Sequence, residues 1–384
     1  MSFGIETLPY GVFSRGGEAR RVGVRFGDSV IDLAPALGDD VFSRQSLNAF
    51  MARGFEAWSE TRGRIIDLLG DLERAKPFLI PADGLTLHLP FEVADYVDFY
   101  SSRQHAENLG RIFRPDQQPL APNWLHLPIG YHGRAGTVVV SGTEVERPCG
   151  QRLSPDGPAP AFGPSTRLDI EVEVGFVVGV GSSMGTAVPV DGFRDHVFGV
   201  VLMNDWSARD IQAYEYVPLG PFLGKSFATS ISPWVIPLAA LDNAWVSPPV
   251  RDPEPLPYLR GAADRGLDID LELRLNGEVL SRPPFGGIYW TPAQQLAHMT
   301  INGASLRCGD LYGSGTVSGS GADERGSLIE LSWNGRDPIR LADGTTRAFL
   351  EDGDVVTISA SAPGPSGSRI TFGEVSGTIL PARC

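Results

Sequence analysis

The chain contains 384 residues, of which 42% are hydrophobic and 20% are charged. These values are typical of a water-soluble globular protein that is long enough to bury a sizeable core. The formal net charge of -14 argues against binding to nucleic acid or to an anionic membrane, because lysine and arginine supply most of the affinity for phosphate. A small-molecule substrate is therefore the favoured partner.

Two further features indicate a cytoplasmic location. Met1–Arg15 has no basic segment followed by an apolar core, and no apolar run approaches about 18 residues. We therefore expect neither a signal peptide nor a membrane span. The three cysteines, Cys149, Cys308 and Cys384, lie far apart and form no CxxC pair, so they predict neither a disulfide framework nor a zinc site.

The N-terminal part of the chain is predicted to form a small separate unit. Residues 3–33 read as an antiparallel meander, and residues 47–73 have helical periodicity. A loop with proline and glycine over residues 77–87 then places a domain boundary near residues 85–92. The rest of the chain is divided into short apolar runs by frequent glycine and proline, which predicts a mixed, mainly antiparallel β-roll or sandwich.

The segment Leu168–Phe176 alternates apolar and acidic residues and then becomes wholly apolar. This period of two predicts a strand that enters a core. Asp169, Glu171 and Glu173 then share one face, with about 7 Å between neighbours. No lysine or arginine lies among them, and buried carboxylates need a neutralising cation such as a hard divalent metal. A solvated acidic face is the structural alternative.

A second polar segment, Asp95–His105, mixes aspartate, tyrosine, arginine, glutamine and histidine. Such a mixture is typical of a polar pocket rather than of a helix face or a core strand. His105 is one of six histidines in the chain. It is a candidate general base, with a structural or merely exposed histidine as the alternative.

A third segment begins with an apolar strand, Phe198–Met203, which leads to Asp205 and places a carboxylate at the end of a buried strand. The following residues have the features of a helix start, with Arg209 and Gln212 on one face. Taken alone, Asp205 fits the N-cap of that helix as well as it fits a metal ligand. A loop rich in proline and glycine then leads to two further polar residues, Lys225 and Thr229.

Near the C-terminus, Asp310–Gly321 is glycine-rich and follows a strand, and the apolar run Ser327–Trp333 predicts a strand that carries Glu330. The glycines would let backbone amides approach a substrate carboxylate, although they match no phosphate-binding motif. Glu330 is either an edge-strand charge or, if it is buried beside His105, the carboxylate that fixes the imidazole tautomer.

Four long strings resemble the fumarylacetoacetase family, also called the fumarylacetoacetate hydrolase family. They are Asp-Phe-Tyr-Ser-Ser-Arg-Gln-His (98–105), Pro-Asn-Trp-Leu-His-Leu-Pro-Ile-Gly-Tyr-His-Gly-Arg (122–134), Leu-Met-Asn-Asp-Trp-Ser-Ala-Arg-Asp-Ile-Gln (202–212) and Tyr-Val-Pro-Leu-Gly-Pro-Phe-Leu-Gly-Lys-Ser-Phe (216–227). The resemblance implies a mainly β protein, with a small SH3-like N-terminal barrel over residues 1–90. A larger C-terminal mixed β-roll over residues 91–384 would hold the active site, in a homodimer.

The resemblance also implies roles for individual residues. The metal ligands are Asp98, Glu171, Glu173 and Asp205, with Ca²⁺, Mg²⁺ or both as the ion, and Lys225 and Thr229 lie near a second cation site. His105 is the general base, Glu330 its partner, and Lys225, Arg209 and Gln212 are donors to an oxyanion. Substrate contacts are Tyr100, Arg114, Tyr131, Gln212, Tyr216 and Thr316. Asp169 is then the outlier of its strand, either solvated or paired with a cation elsewhere.

The implied activity is metal-dependent hydrolysis of a carbon–carbon bond in a β-diketone. The substrate would be 4-fumarylacetoacetate, giving fumarate and acetoacetate in the last step of tyrosine and phenylalanine catabolism. The same scaffold also hosts acylpyruvate hydrolysis and the decarboxylation or isomerisation of keto acids, which the metal carboxylates alone do not separate. The segment around His105 and the N-terminal unit favour fumarylacetoacetase. The presence of His105, Glu330 and Lys225 together argues against a catalytically inactive binding or structural protein.

Overall fold

The computed structural model describes residues 3–154, 157 and 159–384. Short strands dominate it. The strands before residue 90 are β1 Tyr10–Arg15, β2 Arg21–Phe26, β3 Ser29–Asp32, β4 Leu79–Pro81 and β5 Leu85–His88. Those that follow are β6 Tyr96–Phe99, β7 Gly130–His132, β8 Val138–Val140, β9 Val145–Glu146, β10 Cys149–Arg152, β11 Ala161–Pro164, β12 Leu168–Asp169, β13 Val172–Val178, β14 Val197–Asp205, β15 Ser207–Ala208, β16 Thr229–Ile231, β17 Trp234–Pro237, β18 Trp245–Val246, β19 Gly266–Leu267, β20 Asp270–Leu275, β21 Glu278–Ser281, β22 Leu311–Gly313, β23 Ile339–Arg340, β24 Thr346–Arg347, β25 Val355–Pro363 and β26 Arg369–Leu380.

The α-helices are mostly short. They are α1 Leu33–Leu37, α2 Asn48–Met51, α3 Phe55–Leu69, α4 Leu72–Ala75, α5 Arg103–Phe113, α6 Phe193–His196, α7 Arg209–Glu215, α8 Pro292–Thr300 and α9 Leu328–Leu331. Helix α3 buries Trp58, Ile65 and Leu68 on one face, which confirms the helical periodicity predicted for residues 47–73. In the described part of the chain, no helix combines the length and the apolar character that a bilayer crossing requires.

Two packed β-sheets form the body of the molecule. The larger has the strand order β4-β3-β2-β1-β17-β14-β13-β22-β6-β7, with β5 beside β1 and β16 between β14 and β8. The smaller has the order β21-β20-β25-β26-β9. Most neighbours are antiparallel, and β22–β6, β16–β8 and β26–β9 are parallel. The predicted mixed, mainly antiparallel arrangement is confirmed.

The central strands β13 and β14 are buried on both faces. Val174 and Phe176 of β13 belong to the main core, together with residues of β20, β25 and β26. Val177 of β13 and Val201 of β14 point to the opposite face and pack with residues of the N-terminal part. Burial on both faces explains why the apolar run at the end of the predicted acidic strand is continuous rather than alternating.

The N-terminal strands extend the larger sheet. Strands β1, β2 and β3 form the predicted antiparallel meander. Strand β1 also pairs with β17, which places Tyr10 opposite Val235 and Gly11 opposite Trp234. In the described residues β4 and β5 do not pair with each other, so the strands do not close, and the predicted SH3-like barrel is not confirmed.

The cysteine prediction is wrong at one pair. A disulfide joins Cys149 to Cys384, whose Cα atoms lie 5.9 Å apart, while Cys308 is free. Strand β9 pairs in parallel with β26, which sets Val145 beside Ile379. Cys149 follows β9 in the chain and Cys384 follows β26, so the two cysteines leave the sheet at the same end. Spacing alone did not reveal the bond because the partners are 235 positions apart in sequence.

Phe198 joins helix α3 to the larger sheet. It is 2% exposed, and its ring lies 5.2 Å from that of Trp58, 5.4 Å from that of Tyr10 and 5.8 Å from that of Phe50. Edge-on contacts of this kind add to the free energy of burying each ring. The N-terminal helix is therefore fixed to the sheet by one aromatic side chain.

We expect the Phe198→Ala substitution to lower the free energy of unfolding by about 3–5 kcal/mol, because it leaves a cavity beneath α3. Chemical denaturation followed by fluorescence measures the change. Phe162→Ala is the matched control, since Phe162 is 70% exposed and should cost little. Equal stabilities of the two variants would contradict this account of the packing.

Candidate active site and metal centre

Four buried carboxylates converge in the larger sheet, near the same end of its inner strands. Asp98 lies on β6, Glu173 on β13 and Asp205 at the end of β14, and Glu171 lies just before β13. One oxygen of each lies within 4.8 Å of the others. The structure therefore brings together the four residues that the resemblance implies as metal ligands.

Strand register explains how distant parts of the chain meet here. Gly313 of β22 lies between Asp98 on one side and Gly175 of β13 on the other. A Cβ atom at Gly313 would lie 2.7 Å from Glu173 Oε2 and 3.1 Å from Asp98 Oδ1. A residue without a side chain is thus required for the two carboxylates to approach each other.

The predicted acidic strand is interrupted, and Asp169 leaves the row. Strand β12 ends at Asp169 and β13 begins at Val172, so Glu171 lies in the break between them. Asp169 instead accepts a hydrogen bond of 2.8 Å from Arg209 Nε, and both residues are buried. Asp169 therefore lies outside the carboxylate cluster, as expected, and of the two alternatives, pairing with a cation is confirmed and a solvated position is wrong.

Burial and mutual repulsion dominate the electrostatics of the cluster. Burial raises the pKa of Asp98 well above its usual range, and the neighbouring Asp205 raises it further. The pKa of Glu173 is raised in the same way, by burial and then by Asp98. Burial also acts on Glu171, but the charges of Lys225 and Arg209 outweigh it, so its pKa lies below the usual range. The cluster is therefore only partly compensated by the protein.

The residues fit a hard divalent cation. Asp98 Oδ1 and Glu173 Oε1 are buried and have no hydrogen-bond partner in the described residues. Neither side chain has a salt-bridge partner there, whereas Glu171 and Asp205 both contact Lys225. Unpaired buried carboxylate oxygens are costly, and an all-oxygen donor set suits Ca²⁺ or Mg²⁺. A buried acidic cluster able to hold a divalent metal is thus present.

Side chains around Asp205 hold it in place. Thr229 lies directly opposite Asp205 in the sheet and donates a hydrogen bond of 2.7 Å to Oδ1. Tyr131, expected to contact substrate, has its hydroxyl 3.3 Å from Asp205 Oδ2. The Ser207 hydroxyl donates a hydrogen bond of 3.0 Å to the backbone carbonyl of Asp205 and accepts one of 2.9 Å from Lys225 Nζ. The N-cap alternative for Asp205 is wrong, because α7 begins four residues later with Ala208 as its N-cap.

His105 and Glu330 form a buried dyad. The Nδ1 atom of His105 lies 2.7 Å from Glu330 Oε2, and both side chains are almost fully buried. Burial raises the pKa of Glu330, but the opposing effects of His105 and of hydrogen bonds from Asn108 and Ser327 are larger, so its pKa lies below its usual range. Glu330 therefore stays charged and fixes the imidazole with Nδ1 toward the carboxylate.

The element that carries Glu330 was predicted wrongly. Ser327–Trp333 is not a strand, and Glu330 lies in the short helix α9. A short apolar run does not separate a strand from a buried helical turn, and the Ser-x-x-Glu spacing from Ser327 to Glu330 was the available signal for a helix start. The edge-strand alternative for Glu330 is therefore wrong as well.

Sequence reasoning missed the other partners of Glu330. Asn108 donates a hydrogen bond of 2.9 Å to Oε1, and Ser318 and Ser327 donate bonds of 2.9 Å and 2.7 Å to Oε2. Asn108 follows His105 by three positions on α5, so the two face the same direction, and this spacing could have identified it. Ser327 was available from the Ser-x-x-Glu spacing, whereas Ser318 carries no comparable signal, because serine is common in loops.

A cavity of about 340 Å³ opens beside the dyad and the acidic cluster. Its walls include the following predicted site residues: Asp98, Tyr100, His105, Arg114, Tyr131, Glu171, Arg209, Gln212, Tyr216, Lys225 and Thr316. Four further predicted residues lie behind this wall. A Glu173 oxygen is within 4.8 Å of oxygens of Asp98 and Glu171, Asp205 contacts Lys225, and Glu330 contacts His105. Thr229 is joined to the site through Asp205. All the residues to which the resemblance assigns a role thus belong to one region.

Two residues that line the cavity have unfilled hydrogen-bonding capacity. Arg209 Nη2 and Thr316 Oγ1 are buried and lack a partner in the described residues. Arg209 Nη1 is held by Glu171 at 2.8 Å and lies 3.2 Å from the side-chain oxygen of Gln212. Tyr216, by contrast, is 42% exposed at the mouth. The arrangement can receive a polar, anionic molecule next to the His105–Glu330 dyad.

Two family models match this chain. The fumarylacetoacetate hydrolase C-terminal model covers residues 95–379, and the fumarylacetoacetase N-terminal model covers residues 6–90. The chain belongs to the fumarylacetoacetase family. It is 48% identical to human fumarylacetoacetase, with 99% of this chain and 96% of the relative covered. The Arabidopsis thaliana member is 44% identical, with the same coverage of both chains.

Solved structures share the fold of this family member at low sequence identity. A fumarylacetoacetate hydrolase from Exiguobacterium antarcticum aligns with a TM-score of 0.58 at 18% identity, over 98% of this chain and all of the other. A maleylpyruvate hydrolase from Sphingobium aligns with a TM-score of 0.53 at 16% identity, again over 98% of this chain and all of the other. At these identities the likeness shows the fold alone.

We expect thorough chelation to lower the melting temperature, because it leaves Asp98 and Glu173 without a compensating cation. Returning Ca²⁺ or Mg²⁺ at about 100 times its dissociation constant should restore about 2.7 kcal/mol of stability. Thermal shift measurements follow both changes. The restored stability should shrink as pH falls, since protons compete for carboxylates whose pKa is raised.

Glu173→Gln should abolish the metal-dependent shift. Asp310→Asn is the control, because Asp310 is also buried with an unpartnered oxygen but lies outside the cluster. A metal-dependent shift that survives in Glu173→Gln and disappears in Asp310→Asn would contradict the site.

Proposed function

We propose that this chain hydrolyses 4-fumarylacetoacetate to fumarate and acetoacetate with a divalent metal. The observation that carries the proposal is that a buried His–Glu dyad and a metal-competent carboxylate cluster border one cavity. A 48% identity to human fumarylacetoacetase across nearly the whole chain supports the choice of reaction. The chemistry of each group follows from its position.

The metal ligands in this proposal are Asp98, Glu171, Glu173 and Asp205, and the ion is Ca²⁺ or Mg²⁺. When bound, the ion would polarise the two oxygens of the 1,3-dicarbonyl group and stabilise negative charge on them. Thr229 and Tyr131 orient Asp205 through their hydroxyls. Because the sheet and its hydrogen bonds fix these side chains, little reorganisation is needed when substrate enters.

His105 acts as the general base. Its Nδ1 is directed to Glu330, so Nε2 is the nitrogen that can accept a proton from water. As that proton moves to Nε2, the water oxygen forms a bond to the carbonyl carbon, and the carbonyl electron pair moves onto oxygen. The imidazolium that results is balanced by the carboxylate of Glu330.

Donors near the cavity stabilise the oxyanion. Lys225, Arg209 and Gln212 line the cavity beside Glu171, and Arg209 Nη2 is free to donate. Burial lowers the pKa of Lys225, but the charges of Asp205 and Glu171 outweigh it and raise the pKa above its usual range, so Lys225 stays a cation. When the carbonyl re-forms, the carbon–carbon bond breaks, and its electron pair leaves on the acetoacetate fragment, which takes up a proton.

Substrate carboxylates require separate contacts. Tyr100 precedes α5 and Arg114 follows it, and both line the cavity, as do Tyr216 and Thr316. Arg114 donates one hydrogen bond of 3.2 Å from its guanidinium group to the carbonyl of Pro119, and its other N–H groups can bind a ligand. We assign these four residues to the ends of a dicarboxylic substrate.

Other keto acids are the second candidate substrates, because related scaffolds carry their hydrolysis or isomerisation. The His105–Glu330 dyad favours hydrolysis, since it places a base where water can be activated. We also propose that residues 1–90 and 91–384 act as N-terminal and catalytic domains, and that the enzyme is a cytoplasmic homodimer. Tyrosine and phenylalanine catabolism is the pathway in which such an enzyme would act.

His105→Ala should lower kcat by about 10²- to 10⁴-fold, because it removes the base while leaving the metal ligands in place. Loss of the ultraviolet absorbance of fumarylacetoacetate measures turnover. His126→Ala is the control, since His126 is exposed and outside the cavity. Near-normal turnover by His105→Ala would remove His105 from this role. Absence of turnover by the unaltered chain with Ca²⁺ or Mg²⁺ would overturn the substrate.

A further inference from the structure

Asp169 links two parts of the active site without reaching the cavity. It is fully buried, and each of its oxygens accepts two hydrogen bonds. Oδ2 accepts from Arg209 Nε at 2.8 Å and from the backbone amide of Ile329 at 3.1 Å. Oδ1 accepts from the backbone amides of Leu328 at 2.7 Å and of Ile170 at 2.8 Å.

These partners belong to different functional groups. Arg209 lines the cavity, and its buried Nη2 has no hydrogen-bond partner in the described residues. Leu328 and Ile329 are the first two residues of α9, and Glu330, the partner of His105, is the third. One carboxylate therefore holds both a cavity cation and the helix that carries the carboxylate of the dyad.

We propose that Asp169 is a positioning residue, which fixes the guanidinium of Arg209 and the start of α9 so that the oxyanion donor and the His105–Glu330 dyad keep their relative placement. This inference rests on the proposed hydrolase function. Asp169 lies outside the carboxylate cluster, and its proposed role comes from its hydrogen bonds to Arg209 and to the first residues of α9.

The geometry explains why a charged acceptor is needed. Arg209 shares its guanidinium between Asp169, through Nε, and Glu171, through Nη1. With both bonds made, the guanidinium plane is fixed and Nη2 has one direction in which to donate. Without Asp169, the remaining contacts of Arg209, with Glu171 and Gln212, would both be made through Nη1, and the guanidinium could rotate about that one nitrogen.

Two substitutions separate the two arms of this arrangement. Asp169→Asn keeps an oxygen that can accept from the amides of α9, but it loses the charge and can turn an NH₂ group toward Arg209 Nε. Asp169→Ala removes both acceptors. Asp354→Asn is the matched control, because Asp354 is also buried and paired with an arginine, Arg347, in a region away from the cavity.

We expect Asp169→Asn to lower kcat by about 10²- to 10³-fold, the loss typical of one oxyanion donor, with little change in KM. Asp169→Asn combined with Arg209→Gln should be no slower than Arg209→Gln alone, because both act through the same guanidinium. Asp354→Asn should lose stability while keeping kcat and KM. A folded Asp169→Asn enzyme with unchanged kcat, or a double variant with fully additive losses, would overturn the proposal.

Hydrogen exchange measured by mass spectrometry tests the second arm independently of turnover. Exchange in the peptide that contains Leu328 and Ile329 should rise in Asp169→Ala and stay near its original rate in Asp169→Asn and Asp354→Asn. Unchanged exchange in Asp169→Ala would exclude the hold on α9. If the exchange results hold but the unaltered chain does not hydrolyse fumarylacetoacetate, the proposed function fails while the placement of α9 by Asp169 stands.

Discussion

Buried negative charge is the constraint on which the centre of this molecule depends. Asp98, Glu171, Glu173 and Asp205 are held within a few ångströms of one another in an interior that water does not reach freely. Carboxylates in such a place either take up protons or acquire cations. The protein supplies Lys225 and Arg209 to one side of the cluster and leaves the other side to be compensated from outside. A metal site follows from this imbalance.

The double burial of β13 and β14 makes such a cluster possible. Their apolar faces pack on the smaller sheet on one side and on the N-terminal part on the other, so their ends are rigid. Carboxylates placed at those ends cannot move apart to relieve their repulsion. Phe198 contributes to this rigidity from the N-terminal side, since it fastens α3 to the strand that ends in Asp205. The N-terminal part thereby supports the site without touching it.

Sequence patterns revealed what depends on local periodicity. The period of two in Leu168–Phe176 predicted a strand with acidic residues, and the apolar run before Asp205 predicted a buried strand end. They did not reveal the break at Glu171. The alternation of apolar and acidic residues continues through this position, whereas the strand ends at Asp169 and a new one begins at Val172. The disulfide, the open N-terminal sheet and the helical turn around Glu330 depend on tertiary contacts, which override local preference. The set of site residues came from the family resemblance rather than from periodicity.

The break at Glu171 has a physical consequence for the whole site. In an unbroken strand, Asp169, Glu171 and Glu173 would share one face and compete for the same cations. The break turns Asp169 toward Arg209 and α9, while Glu171 remains between Arg209 and Lys225. Cations and carboxylates then alternate from Asp169 through Arg209, Glu171 and Lys225 to Asp205, so each group in the series has only oppositely charged neighbours along it. Asp98 and Glu173 fall outside this alternating series, and their unpaired oxygens are where an added cation gains most.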